Sequence, residues 1–204
     1  MIRMNTSATK RKAIVKKRRD VRVHAELWHT ANCLLNAGQK EPTGSVHQFR
    51  GSLVFRAFAL ESFLNWLGYN LVPHWKYLER LKPREKLDLL TDLTHVTPDY
   101  GSRPWQIVKE LFDFRNEIAH GKPENLTSET LEEVDDDLDT KLGEHIQADW
   151  ERFGTEQDAV KAKEDVKKIA IILYNASGIA KKQSGPIGPF AFGFHTHGAT
   201  ITQP

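Results

Sequence analysis

A single cysteine, Cys33, stands in this chain of 204 residues, which excludes an internal disulfide and any zinc site built on paired cysteines. Cys33 lies among Ala31, Leu34 and Leu35 and reads as a small core residue, in keeping with a reducing, cytoplasmic setting. Long apolar runs are also missing. The most apolar stretch, Leu53 to Leu67, is interrupted by Arg56, Glu61 and Asn65, so no membrane span is expected. Residues 1–20 are basic but lack an apolar stretch and a small-residue cleavage site, which argues against a signal peptide. The chain has no glycine-rich phosphate loop, no paired catalytic carboxylates, no Ser or Cys nucleophile arrangement and no internal repeat. His195 and His197 form the nearest approach to a metal pair. Without a third ligand nearby they predict no metal site, and no cofactor is expected.

What is present fits a soluble globular domain with appendages: 39% hydrophobic and 27% charged residues. The net charge is only +2, but its distribution is uneven. Lys10, Arg11, Lys12, Lys16, Lys17, Arg18 and Arg19 crowd the beginning, with no acid before Asp20. They read as a phosphate-attracting arm or as a solvated leader. Glu129, Glu132, Glu133, Asp135, Asp136, Asp137 and Asp139 crowd a later segment, expected to be a solvated helix face. Residues 1–19 are therefore expected to form a flexible basic leader, residues 20–182 a helical domain, and residues 183–204 a Gly-, Pro- and Phe-containing tail.

Helical periodicity runs through the domain, and no segment alternates with period two long enough to force a strand. A first helix is expected from about Asp20 to Ala37, with Val23, Leu27, Ala31, Leu34 and Leu35 inward. A turn from Gly38 to Gly44, containing Pro42, follows. The long helix from Ser45 to Asn70 is apolar nearly all round, which suits the centre of a bundle or a surface shared with a second subunit. Arg84 to Leu93 reads as a short helix. Thr127 to Phe153 reads as helical, with Leu131, Val134, Leu138, Leu142, Ile146 and Trp150 inward. Thr155-Glu156-Gln157-Asp158 is a capping-box pattern with Asp in the usual Glu place, opening a last helix to about Ala180. Val166, Ile169, Ala170, Leu173 and Ala176 form that helix's inner stripe.

The stretch with the most chemistry is the helix expected to open at Pro104 and close at Gly121 and Pro123. Trp105, Ile107, Val108, Leu111, Phe112, Phe114, Ile118 and Ala119 fill one broad arc, opposite Lys109, Glu110, Asp113 and Glu117. Arg115 falls in the middle of the apolar arc. A guanidinium facing a core is costly unless paired. Glu61, flanked by Asn65, sits among inward residues of the long helix and is the expected partner. Asn116 and His120, at i and i+4, lie together on the arc's edge. An arginine offers a permanently charged fork for a phosphate, and a histidine transfers protons near neutral pH. A plain alternative is an internal ion pair that fixes helix register.

Arg115-Asn116-x3-His120, followed by Gly121, resembles the Arg-x4–6-His signature of the HEPN superfamily. Ala59-Leu60-Glu61-Ser62-Phe63-Leu64-Asn65 and Pro83-Arg84-Glu85-Lys86-Leu87 also resemble that superfamily, so the likeness spans roughly residues 20 to 180. It implies an all-α, up-and-down helical bundle with extra C-terminal helices, and a metal-independent endoribonuclease of the toxin or phage-defence type. Arg115, Asn116 and His120 match the motif and are implied as catalytic, with Glu61 and Asn65 supporting. The implied partners are RNA, bound in part through Lys122 and the basic arm, a second copy of the chain, and an antitoxin or regulatory protein. Arg115 and His120 lie about 140° apart on one helix and do not simply face each other; the resemblance implies a dimer in which two motifs line one cleft. Some members carry Tyr two residues after the motif His as a modification target; here that residue is Lys122. The same resemblance admits a non-catalytic subunit that senses nucleotides or binds a protein.

Overall fold

The computed structural model describes residues 13–127, 146–182, 188–193 and 195–201. These group into two compact units, Val23–Ala191 and a unit made of the chain ends up to Arg22 and from Phe192.

The first unit is mostly helical. Helices α1 (Val23–Lys40) and α2 (Ser45–Leu71) pair through a tight turn that contains Gly44. A short 3-10 turn, Trp75–Tyr77, leads to α3 (Pro83–Leu93). A loop leads to α4 (Ile107–His120). Beyond it come α5 (Asp149–Arg152), α6 (Glu156–Ala176) and α7 (Ile179–Lys182). Helix α2 is central, touching α1, α3, α4 and α6. Its Leu53, Leu60, Phe63, Leu64 and Leu67 are fully buried, which accounts for its apolar perimeter within one chain. Trp66, half-buried, stacks on Tyr174 of α6 with ring centroids 6.2 Å apart. The shared surface inferred from this perimeter is thus largely covered internally.

Helix α1 continues past Gly38, which the sequence suggests as its stop. A Cβ there would come within 2.7 Å of the Phe49 ring, so glycine serves the close approach of α1 to α2. The inward face of α1 is His24, Ala25, Ala31, Leu35 and Gly38. Leu27 and Leu34 are half-buried, and Val23 is exposed. Cys33, expected in the core, is exposed because it lies about 200° round the helix from Ala31. Its Sγ lies 3.5 Å from Nε2 of His29. Arg56 of α2 is buried against α1, its Nη2 donating to Asn32 Oδ1 at 3.0 Å and its guanidinium 4.0 Å from the Trp28 ring centroid. Desolvation presses that guanidinium well below its ordinary pKa.

The cap of α6 forms as its sequence predicts. Thr155 Oγ1 accepts from Asp158 N at 3.2 Å, and Asp158 Oδ2 accepts from Thr155 N at 3.3 Å. The helix ends at Ala176, which is exposed, and Gly178 turns the chain with φ +71° into α7. The expected helix from Thr127 to Phe153 is corrected in part. Residues 121–127 and 146–148 are extended or irregular, Ile146 is exposed, and among the described residues of that span only Asp149–Arg152 is helical. Leu131, Val134, Leu138, Leu142 and the acidic run Glu129 to Asp139 lie outside the described residues.

In the second unit, β1 (Ala13–Arg19) pairs antiparallel with β2 (His195–Ile201), from Ala13 opposite Ile201 to Arg19 opposite His195. The sequence shows no strand here because neither segment has an apolar face of its own: Ile14 and Val15, on opposite faces of the ribbon, are both exposed. Pairing of backbone groups across the ribbon defines these strands. Lys16, Lys17 and Arg19 are exposed on β1, and Lys10, Arg11 and Lys12 lie outside the described residues. Gly193 is required by packing, since a Cβ would sit 1.9 Å from the Asp20 carbonyl oxygen.

Candidate functional site

Arg115 is held where α2, α3 and α4 meet. The apolar arc of α4 buries Ile107, Val108, Leu111, Phe112 and Phe114, and this packing carries Arg115 onto α2. Its Nη2 donates to Glu61 Oε2 at 2.8 Å, the pairing expected from the two helix patterns. The guanidinium carbon lies 5.6 Å from the Phe112 ring centroid and 5.7 Å from that of Phe58. Asp113, two residues before Arg115, points away and pairs with Lys109 at 2.6 Å on the exposed side.

Glu61 has a second cation that sequence reasoning missed. Lys86 Nζ donates to its Oε1 at 3.4 Å, so one carboxylate bridges α3 and α4. Lys86 is only 1% exposed, whereas the Arg115 and Glu61 side chains are 18% and 26% exposed. The signal was available: Lys86 lies one turn before buried Leu90 and beside buried Leu87, just as Arg115 lies one turn after Leu111. Two polar atoms at the junction lack partners in the described structure, Nε of Arg115 and Oδ1 of Asn65. Asn65 sits one turn beyond Glu61 on α2.

The other two motif residues stand apart. Asn116 and His120 are exposed, and neither side chain makes a hydrogen bond to another described residue. Helix α4 begins at Ile107, three residues later than Pro104, and ends at His120. Gly121 follows with φ −45° and ψ 128°, extended backbone that does not demand glycine. Lys122, ahead of Pro123, is biased to extended backbone, and the segment turns away as irregular chain, leaving His120 in solvent. Ile118 and Ala119, expected inward, are exposed because α4 runs past the elements that cover its earlier turns. Glu110, expected on the polar face, is half-buried and accepts from Lys161 Nζ of α6 at 3.2 Å.

The arrangement therefore presents a partly exposed guanidinium anchored from behind, and an exposed imidazole at the end of the same helix. Among the described residues no group of three or more His, Cys, Asp or Glu side chains is placed to hold a metal ion. No described helix is long and apolar enough to cross a membrane. Comparison of the chain with protein-family models, curated proteins and solved structures returned no match.

Proposed function

We propose that this protein is a metal-independent endoribonuclease of the HEPN type, a toxin or phage-defence effector in which Arg115 and His120 act on one RNA phosphodiester at a homodimer cleft. The observation that carries the proposal is the setting of Arg115. It is fixed by Glu61 at 2.8 Å, keeps part of its surface in solvent, and lies within one turn and a half of an exposed His120.

The chemistry follows from these groups. The 2′-hydroxyl oxygen attacks the adjacent phosphorus, the P–O5′ bond breaks, and a 2′,3′-cyclic phosphate and a 5′-hydroxyl result. One His120 takes the 2′ proton, and the His120 of the second copy supplies a proton to the departing 5′ oxygen. Arg115 stabilises charge on the non-bridging oxygens. Asn116 orients the imidazole or donates to a phosphate oxygen. Lys122 and the basic residues of the amino-terminal arm add salt-dependent, sequence-independent affinity. Exposed Phe58, Ile118 and Ala119 border this region and supply the apolar contact for a second copy.

A second reading is favoured by the burial of Lys86 and the modest exposure of Arg115. In it the three charges fix helix register in a non-catalytic subunit that senses nucleotides or binds a protein. Incubating RNA in EDTA with the wild type and with His120→Ala separates the two. Cleavage by the wild type that His120→Ala abolishes, with unchanged circular dichroism, supports the enzyme; equal rates for both proteins exclude it.

A further inference from the structure

We propose that Lys86 is a positioning residue that keeps Arg115 in a one-point contact with Glu61, and so holds the guanidinium open to a phosphodiester; the inference rests on the ribonuclease reading. An arginine beside a carboxylate frequently closes on it with two parallel N–H bonds. Arg103 does so in this protein, its Nε and Nη2 reaching the two oxygens of Asp165 at 2.7 and 3.0 Å. Arg115 does not. Its Nη2 alone reaches Glu61, while its Nε is buried without a hydrogen-bond partner. The oxygen that would complete the fork, Oε1, accepts from Lys86 Nζ instead.

Lys86 thus has two effects. It occupies the second carboxylate oxygen, and it adds a positive charge that Glu61 alone does not balance. Among the described residues neither Lys86 nor Arg115 has another ion-pair partner, so two cations share one anion. Lys86 is sealed in the core, and Arg115 is the cation that reaches solvent. An anion arriving there meets a guanidinium that Glu61 has only partly neutralised. A phosphodiester is such an anion, and it meets the part of the guanidinium that reaches solvent, Nε itself being buried. Without Lys86, Glu61 would swing Oε1 onto Arg115 Nε, close the fork and neutralise the guanidinium.

The test uses the full-length chain and inorganic phosphate as the probe, following the Arg115 Nε–Hε resonance by NMR at constant ionic strength. The wild type is expected to show a saturable shift. Lys86→Met is expected to weaken phosphate binding about tenfold or more, and Lys86→Arg to retain it. Glu61→Gln in the Lys86→Met background is expected to restore the response, because no carboxylate remains to close the fork. RNA cleavage in EDTA should follow the same order, with the loss in Lys86→Met falling on kcat more than on KM. A purely structural Lys86 would change the melting temperature and leave the phosphate response intact. A phosphate response in Lys86→Met equal to that of the wild type overturns the inference even if RNA is cut. The expected phosphate order with no RNA cleavage by the wild type upholds Lys86 and removes the ribonuclease. Should Lys86→Met not fold, the inference stands or falls on single Glu61→Gln, expected to bind phosphate more tightly than the wild type.

Discussion

Arg103 and Asp165 form a two-point ion pair, 2.7 and 3.0 Å, that ties the loop before α4 to the middle of α6. Asp165 is fully buried, whereas the Arg103 side chain is 45% exposed. The pair fixes α6 against the segment from which α4 starts, and α4 carries Arg115. Desolvation of Asp165 is offset mainly by this one partner.

Removing that partner is the first prediction. Arg103→Ala leaves a buried carboxylate short of donors, at a cost of about 1–3 kcal/mol. The melting temperature should fall by several degrees, and the double variant Arg103→Ala/Asp165→Leu should recover part of the loss. Thermal denaturation of the two proteins checks this, and equal losses in both would show that Asp165 does not depend on Arg103.

Glu61 should be the costliest single charge to remove. Glu61→Ala strands Lys86 in the core and Arg115 beside it, for a loss on the order of 3–5 kcal/mol. Glu110 is a poor comparison because its contact with Lys161 carries its own contribution. Glu117, exposed on α4, is the better one, and Glu117→Ala should stay within about 0.5 kcal/mol of the wild type. Urea unfolding of both variants gives the comparison; similar midpoints would mean that the three-charge cluster contributes little.

The legibility of these features in the sequence has a common physical cause. Ser45–Leu71 and the Thr155 cap are readable because each is specified by residues within a few turns of one helix, and the Glu61–Arg115 contact because each partner stands out as a charge among the inward residues of its own helix. A charge inside an apolar stripe is a local signal, and Lys86 carries the same signal in the shorter, more mixed helix α3. The ribbon of Ala13–Arg19 with His195–Ile201 was not readable, since each strand depends on a partner at the far end of the chain. Gly38 was misread because its role is set by the Phe49 ring of another helix. The exposure of Ile118 follows from where the bundle ends, a length that α4 alone does not encode.

Alkaline pH should expose a clip on the far side of α3. Tyr100 donates to Asp88 Oδ1 at 2.6 Å, and the Arg84 guanidinium lies 3.1 Å from the Tyr100 ring centroid while its Nε donates to the same carboxylate. Desolvation first, and then the Asp88 carboxylate, raise the phenol above its ordinary value. The folded state therefore keeps its proton at a pH where the unfolded chain has begun to lose it. The stability due to this contact is fully present below the ordinary phenol pKa and is lost as pH rises through the raised one. Tyr100→Phe should be less stable than the wild type at pH 8, and the gap should narrow above about pH 10. A gap that stays constant from pH 8 to pH 11 would remove the phenol from the account.

Association of two copies should depend on the exposed end of α4 and the neighbouring part of α2. Phe58 is 38% exposed and Ile118 42% exposed, and Arg115, three residues before Ile118, lies against the Phe58 ring. The apolar side of α4 thus continues beyond its cover at the point where Arg115 reaches solvent. Helix α6 covers the second face of α2, and among the exposed apolar residues Phe58 and Ile118 are the ones that border Arg115. Phe58→Ser with Ile118→Ser should shift a dimer toward monomer by about tenfold or more in dissociation constant while leaving the melting of the monomer within about 1 kcal/mol. RNA cleavage should fall in step with dimer content, because the proposed site needs a His120 from each copy. Light scattering across a concentration series, read beside cleavage in EDTA, decides the matter. A wild-type protein that is strictly monomeric at micromolar concentration and still cuts RNA would remove the composite cleft and leave Arg115 and His120 to act within one chain.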